Sequence, residues 1–513
     1  MNARSWRAPS AADAHRHDPA EVFAAGERNH HISNTAYPIA HETSWAPYRL
    51  LRDQHEAAVH KAFDDVDELC LYVHIPFCER RCSFCEYTVV SGDDLQNTAG
   101  YRDALLLEIE RYAALLKRSG RAHPVRGIDI GGGTPAFVPL DDVKAIVDAL
   151  QRGFDCGPPS SMGGGISIET TPKIAAADAA KLKGYVDVGI ERISMGVQVI
   201  QPDLLKVLAR DENGVEHHKI AVDNIRAAGF KRLNLDVMYG FADQTLESLA
   251  ATLQHCIALD PEYVTLYRMR YKLTRISHQA PRVTLEHAKA HAALARQLLE
   301  AAGYTASPGK NTFTHQRVNA HARIPGTQVP GTQVPGTQDV GTSAYLTKRV
   351  IEGTPYLGLG LGAQTFTHTT ISYNDGSVGK NLAPYLRSVS AGRLPIQDLY
   401  DLPRTQMMAK FVAVAFYFGE LDRPSFLKKF GVDVDDAFAA EVAWVKARGL
   451  MHETRGQFGN SSALSLTAEG GRHFAGVIAL FFAPSVQRYL IERDPARATD
   501  MDVARGKALR IAG

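Results

Sequence analysis

The sequence predicts an α/β protein, a parallel sheet wrapped by crossover helices, with a smaller helical module behind it. Short apolar runs rich in Val, Ile and Leu recur between residues 71 and 269, and amphipathic stretches of helical period separate them. Six such runs alternate with helices, the order that parallel strands need for their crossovers. Near residue 400 the pattern changes to helices followed by one hairpin.

The strands are expected at 71–75, 127–130, 166–169, 192–197, 233–238 and 263–269. The first helix, 101–120, ends on Gly120, a residue suited to the left-handed turn after a helix. Further helices are expected at 140–154, 173–185, 202–209, 214–228, 245–259 and 285–302. Such a sheet stays open or curves into a barrel, and either way reactive groups gather at the carboxyl ends of the strands. After residue 400, "QMMAKFVAVAFYFG" and "DDAFAAEVAWVKARGL" read as helices, "MHETRGQFGNSSALSLT" as a hairpin and "AEGGRHFAGVIALFF" as a last helix. That order suggests a winged-helix-like module over 396–485, with a tail at 486–513. Residues 1–35 lack periodicity and are expected to be a mobile arm. "PGTQV" units repeat within 324–340, where Pro and Gly rule out helix and central strand, so this stretch reads as a surface loop.

Composition narrows the function. The chain has 513 residues, 45% hydrophobic and 22% charged, with a net charge of +1. No global field would recruit nucleic acid or an acidic membrane. No run approaches the length of a membrane span, and the first 35 residues hold no apolar signal segment. A cytoplasmic location with reduced thiols is therefore expected. Cys70, Cys156 and Cys256 lie singly in periodic segments and read as small buried apolar side chains.

Cys78, Cys82 and Cys85 differ. They crowd the loop after the first strand, spaced so that one small object can touch all three sulfurs. A structural zinc ion needs four ligands, which would require His74 or Cys70 as the fourth. An iron–sulfur cubane held by three thiolates leaves one iron without a protein ligand, which makes the site a reactive one. Other strand ends also carry suitable groups. The glycines of "GGGTP" (131–135) permit close approach of backbone to a ligand. Glu169 ends the third strand, where a carboxylate can meet an ammonium or a ribose hydroxyl. Arg, Glu and Asp at such positions can equally form a structural ion network.

The cysteine spacing resembles the signature of the radical-SAM superfamily. The longer string "YVHIPFC" (72–78) resembles the subfamily of oxygen-independent coproporphyrinogen III oxidase and its relatives, the haem chaperones and the radical C-methylases and cyclopropanases. "TAYPIAHETSW" (35–45) resembles the segment before that subfamily's barrel, and the likeness runs in order over about 35–270 and more faintly to about 480. The resemblance implies a partial (β/α)6 TIM-like barrel of parallel strands over 36–305, a cavity-closing segment over 306–395, and the small C-terminal winged-helix-like domain. It implies a [4Fe-4S] cluster on Cys78, Cys82 and Cys85 and one or two molecules of S-adenosyl-L-methionine. Gly132, Gly133 and Thr134 would hold the amino end of that cofactor, with Glu169, Gln198, Arg210 and Asp236 around it and Tyr72 beside the cluster. In "YLGLGLGAQTF" (356–366), Gly360 and Gly362 would touch a second molecule.

The implied chemistry is reductive cleavage of the sulfonium to a 5′-deoxyadenosyl radical that abstracts hydrogen from the substrate, with a flavodoxin or ferredoxin as low-potential donor. The oxidase has a fourth cysteine where this chain has Tyr87. An aromatic residue there is more similar to the chaperones and methylases, so methyl or methylene transfer to a natural product or tetrapyrrole is expected. Oxidative decarboxylation of coproporphyrinogen III and haem carriage are the alternatives. In "YRMRYK" (267–272), Arg268, Arg270 and Lys272 alternate; if the strand continues, all three face one side. Arg268 and Arg270 would then bind an anionic small-molecule substrate.

Overall fold

The computed structural model describes residues 4–39, 41–90, 92–118, 120–157, 165–272, 274–320, 342–456 and 462–495. The repeat at 324–340 and the tail beyond 495 lie outside them.

Six parallel strands run side by side in chain order: β1 (Leu69–Ile75), β2 (Val125–Gly132), β3 (Ile166–Thr170), β4 (Ile190–Gln198), β5 (Arg232–Tyr239) and β6 (Tyr263–Arg268). Helices such as Thr98–Arg118 and Leu140–Gly153 cross between them. The strands read as apolar runs because both faces are covered. Ile128, Ile130, Ile168, Ile193, Leu235 and Val264 lie in the main core. Cys70, Cys156 and Cys256 are all buried, as expected.

The sheet extends past the six expected strands. β7 (Tyr304–Thr305) and β8 (Thr312–His315) add antiparallel pairing beyond β6. On the other edge, β9 (Tyr356–Leu359) pairs parallel to β1, and β10 (Gln364–Phe366), β11 (Thr370–Asn374) and β12 (Ile396–Asp401) follow antiparallel. The order β12-β11-β10-β9-β1-β2-β3-β4-β5-β6-β8-β7 separates β1 from β6, so the parallel run stays an open, partial barrel.

β6 stops at Arg268 instead of continuing through Lys272. The Met269 amide turns to the Tyr239 carbonyl at 2.8 Å. Met269 and Tyr271 then enter a small apolar cluster with Met238 and Phe241, which draws the chain away from the sheet.

The C-terminal region holds the expected helices and hairpin, with a short strand and a helix inserted between the first two helices and the last helix split at His473. The helix Arg404–Ala415 leads to β13 (Glu420–Asp422), then to helices Arg423–Phe430 and Ala439–Ala447. β14 (Met451–Arg455) and β15 (Ser462–Leu466) complete a three-stranded sheet in the order β13-β15-β14.

The arm expected to be mobile is instead docked. Asp18 caps a helix, Pro19–Arg28, which lies against the helix Phe474–Leu480. Small residues allow this approach: a Cβ on Gly26 would stand 2.5 Å from the Ala475 carbonyl. Buried Asn29 donates to the Leu490 carbonyl at 2.9 Å, and Ser33 to that of Ala475 at 2.7 Å. The Ala-rich composition hid a helix that packs through close contact rather than through a broad apolar stripe. Among the described residues no helix is long and apolar enough to cross a membrane.

Candidate active site

An open cavity of about 230 Å³ lies at the carboxyl ends of β2 to β6. Cys78, Cys82 and Cys85 line it together with Gly132, Gly133, Thr134, Glu169, Gln198, Arg210, Asp236, Arg268 and Arg270. Tyr72 stands just behind this wall, its ring 3.3 Å from where a Cβ on Gly131 would be. Gly360 and Gly362 do not reach the wall.

The cysteine loop is fastened at several points. Ser83 exchanges backbone hydrogen bonds with Leu208 and Arg275, both at 2.9 Å, and the Val90 amide donates to the Pro76 carbonyl at 3.0 Å. The Cys78 sulfur is 3.3 Å from the Thr134 hydroxyl, and Arg210 Nη1 donates to the Cys82 sulfur at 3.4 Å. Burial pushes the Cys78 thiol up to about 12 and raises that of Cys85. Among the described residues no three His, Cys, Asp or Glu side chains are grouped as one metal ion would require. A cubane makes a different demand, because each thiolate takes a separate iron.

The glycine segment differs from expectation in one respect. Gly133 donates its amide to the Ile75 carbonyl and Thr134 to that of Phe77, both at 2.8 Å. These donors are engaged inside the protein. What the segment can offer a ligand ammonium is carbonyl oxygen, beside the Glu169 carboxylate. Gly132 needs its identity: φ is +123°, and a Cβ would stand 2.8 Å from the His74 ring. His74 Nε2 donates to the Thr88 carbonyl at 2.7 Å, so Nδ1 accepts from the Tyr72 hydroxyl at 3.1 Å. Burial lowers this imidazole to about 4, consistent with the neutral tautomer.

Carboxyls crowd the floor of the site. Burial, then the charges of Asp236 and Asp129, raise Glu169 to about 8. Burial raises Asp236 to about 6 against the pull of Ser194, Arg192 and Asn234. Ser194 donates to Asp236 at 3.0 Å and Asn234 at 2.7 Å. Such a floor suits a cationic ligand, whose charge would favour both ionised forms.

Gln198 sits at φ +68°, in the left-handed region, where the β4–β5 register shifts. Its Oε1 is buried without a partner, as is Arg210 Nε. Strain and an unsatisfied buried acceptor together point to a ligand that completes the site. Arg210 Nη2 also donates to the Gly196 carbonyl at 2.5 Å.

Across the cavity, Arg268 donates to His30 Nδ1 and Arg270 pairs with Glu86. Since β6 ends at Arg268, Arg268, Arg270 and Lys272 do not form one row of strand cations, and Lys272 is not part of the wall. Tyr87 and Tyr267 are 55% and 40% exposed, yet burial raises both hydroxyls, because they face a hollow inside the protein. Tyr267 on the wall and His30, which meets Arg268 from the docked arm, are brought there by long-range packing that no local pattern marks.

Gly360 and Gly362 serve the fold. Gly360 donates its amide to Glu108 at 2.8 Å, and a Cβ there would lie 2.6 Å from the His74 carbonyl. The Gly362 amide donates to the Asp375 carbonyl at 2.9 Å. Their φ values of +99° and +66° let the segment after β9 turn against β1.

Residues 72–256 match the family model of the radical SAM superfamily and form a radical SAM domain. Its homologues are coproporphyrinogen III oxidases and haem chaperones. The heme chaperone HemW of Haemophilus influenzae is 31% identical over 201 residues, 39% of this chain and 51% of that protein. The oxygen-independent coproporphyrinogen III oxidase of Paracoccus denitrificans is 32% identical over 199 residues, 39% of this chain and 42% of that protein. The chain thus spans about half the length of these relatives. The heme chaperone HemW of Bacillus subtilis aligns further, over 78% of this chain and 95% of its own, at 25% identity. The structure of coproporphyrinogen III oxidase (HemN) from Escherichia coli shares the fold, with a TM-score of 0.65 and 22% identity over 88% of this chain and 96% of that one. The radical SAM family uses a [4Fe-4S] cluster and S-adenosylmethionine.

Proposed function

We propose that the protein is a radical enzyme that cleaves S-adenosylmethionine at a [4Fe-4S] cluster and acts on an anionic tetrapyrrole or a similar small molecule, in the manner of the oxidase relatives. One observation carries this reading. Three cysteines without a fourth share a cavity with the carboxyls of Glu169 and Asp236, which face it, an unsatisfied Gln198 acceptor and Arg210. Cys78, Cys82 and Cys85 would hold the cluster, which supplies one-electron cleavage of the sulfonium. Glu169 and the carbonyls beside Gly132 would take the ammonium. Gln198, Arg210 and Asp236 would take the carboxylate and ribose. Thr134 and Arg210, each against a cysteine sulfur, would fix the loop. Tyr72 would hold the neutral His74 that braces the loop's exit. Water would be displaced from the floor, where its loss strengthens each charged contact.

Methyl or methylene transfer gains no support from the relatives named above. The residues expected to hold a second S-adenosylmethionine, Gly360 and Gly362, are engaged in packing. Haem carriage stays as a second reading, because a chaperone aligns over 95% of its own length.

Anaerobic reconstitution followed by iron and sulfide counting, then reduction with S-adenosylmethionine, tests the assignment. The enzyme reading expects 5′-deoxyadenosine in step with substrate loss, and carbon dioxide if coproporphyrinogen is the substrate. Haem binding with only slow abortive cleavage would favour the carrier. A reconstituted protein without a cubane would refute both cluster-based readings.

A further inference from the structure

Two aromatic rings stand open in the cavity. Among the described residues, Tyr87 and Tyr267 are the two well-exposed large apolar side chains on its wall; the others, such as Leu51 and Ile220, lie away from it. Among the described residues neither ring stacks on another aromatic, and neither phenol makes a hydrogen bond. A tyrosine inside a protein ordinarily finds such partners. Tyr72, just behind the wall, does: its hydroxyl meets His74, and its ring lies beside that of Tyr345. Phe84, Met238 and Met269 add apolar surface to the same cavity.

Tyr87 is held where it stands. The backbone carbonyls of Cys85, Glu86 and Tyr87 each accept from a cation. Arg81 Nη2 donates to that of Cys85 at 3.0 Å. Lys380 Nζ donates to that of Glu86 at 3.0 Å and to that of Tyr87 at 2.9 Å. The Glu86 side chain pairs with Arg270. Lys380 comes from the turn between β11 and the helix Leu382–Ser390, and its φ of +52° is costly for a residue other than glycine. A strained residue whose ammonium holds two successive carbonyls acts as a clamp on the exit of the cysteine loop. Tyr267 needs no clamp, because β6 fixes it in register with Met238. With Arg268 and Arg270 on the same wall, this surface suits a flat ring that carries carboxylates.

We propose that Tyr87 and Tyr267 form an aromatic subsite for a flat heteroaromatic ring of the substrate, and that Lys380 is the positioning residue that holds Tyr87 in it. The inference rests on the anionic-tetrapyrrole reading above and adds what recognises the ring. The adenine of S-adenosylmethionine is the other flat ring at hand, and the experiment separates the two.

Binding of coproporphyrin III to the full-length reconstituted protein, followed by fluorescence without reductant, tests this. Tyr87→Leu and Tyr267→Leu should each weaken it by about tenfold, whereas Tyr87→Phe and Tyr267→Phe should stay within about twofold of wild type. Lys380→Met should weaken it by about fivefold, yet by less than about twofold when added to Tyr87→Leu, because the clamp acts through that ring. Unchanged affinity in both Leu variants overturns the subsite, as does a wild type that binds no coproporphyrin III. So does an equal loss in the Phe and Leu variants, which would make the phenol oxygen the contact. Weakened S-adenosylmethionine binding with intact coproporphyrin III binding would give the rings to adenine and overturn it too. Full additivity of Lys380→Met with Tyr87→Leu removes the positioning role. Tyr267 lies off the cysteine loop, so its variants decide the matter even if Tyr87→Leu disturbs the loop. Deoxyadenosine formation is read separately, so failure of the radical reaction leaves a positive binding result standing.

Discussion

The two walls of the cavity are built by different rules. On one, Cys78, Gly132, Glu169, Gln198 and Asp236 come from the ends of successive strands, β1 to β5, and their neighbours in space follow from their order in the chain. On the other, Tyr267, Arg268 and Arg270 at the exit of β6 meet Glu86 and Tyr87 of the cysteine loop and His30 of the docked arm, which lie far apart in sequence. The first wall offers carboxyls and open acceptors, which suit a cation. The second offers guanidinium and phenol, which suit an anion. A cofactor that carries a sulfonium and a substrate that carries carboxylates would thus be sorted by charge before any finer contact is made.

The largest expected effect is on the first wall. Cys82→Ala should lower iron bound after reconstitution and reduce 5′-deoxyadenosine to the uncatalysed background, since each thiolate would hold its own iron. Arg210→Ala should weaken S-adenosylmethionine by about tenfold to a hundredfold, read by equilibrium binding, because it strips a charge-assisted donor from a buried site. If instead it leaves cofactor affinity intact and spoils only substrate binding, the division of labour between the walls is wrong.

On the second wall, Arg270→Ala should raise KM for an anionic substrate by about tenfold with little change in cofactor affinity. An unchanged KM would remove Arg270 from the receptor.

A packing test comes next. Gly360→Ala should lower the melting temperature by several degrees through strain at φ +99° and contact with the His74 carbonyl, without altering cofactor stoichiometry. A loss of one bound cofactor at unchanged stability would return Gly360 to a binding role.

The smallest effect is a pH dependence. Glu169 is raised to about 8, so the folded protein holds a proton that the unfolded chain releases near the ordinary glutamate value. Stability of the unliganded protein should therefore fall as pH rises from about 4.5 through 8. Glu169→Gln should flatten that slope in thermal melts. Binding of the cationic cofactor should strengthen over the same window in wild type and less so in the variant.

The first wall was legible because parallel strands gather their carboxyl ends, so a motif after each strand has a known neighbour. Cys78, Cys82 and Cys85 and the glycine turn at 131–135 fell together on that rule. Gly360 and Gly362 misled because a glycine that permits a close ligand also permits a close backbone, and only the packed structure shows which of these Glu108 and Tyr101 require. The row of three cations failed because strand length is set by what the next residues bury, and Met269 and Tyr271 bury better off the sheet. His30 left no local pattern at all; it becomes notable only beside Arg268.

The helix Pro19–Arg28 finds its partner in Phe474–Leu480, so one of the earliest helices made on the ribosome waits for one of the last. The cysteine loop, by contrast, is complete early, along with the strands that carry it. Iron and sulfide would therefore meet a bed that is already shaped while the far side of the molecule is still being synthesised.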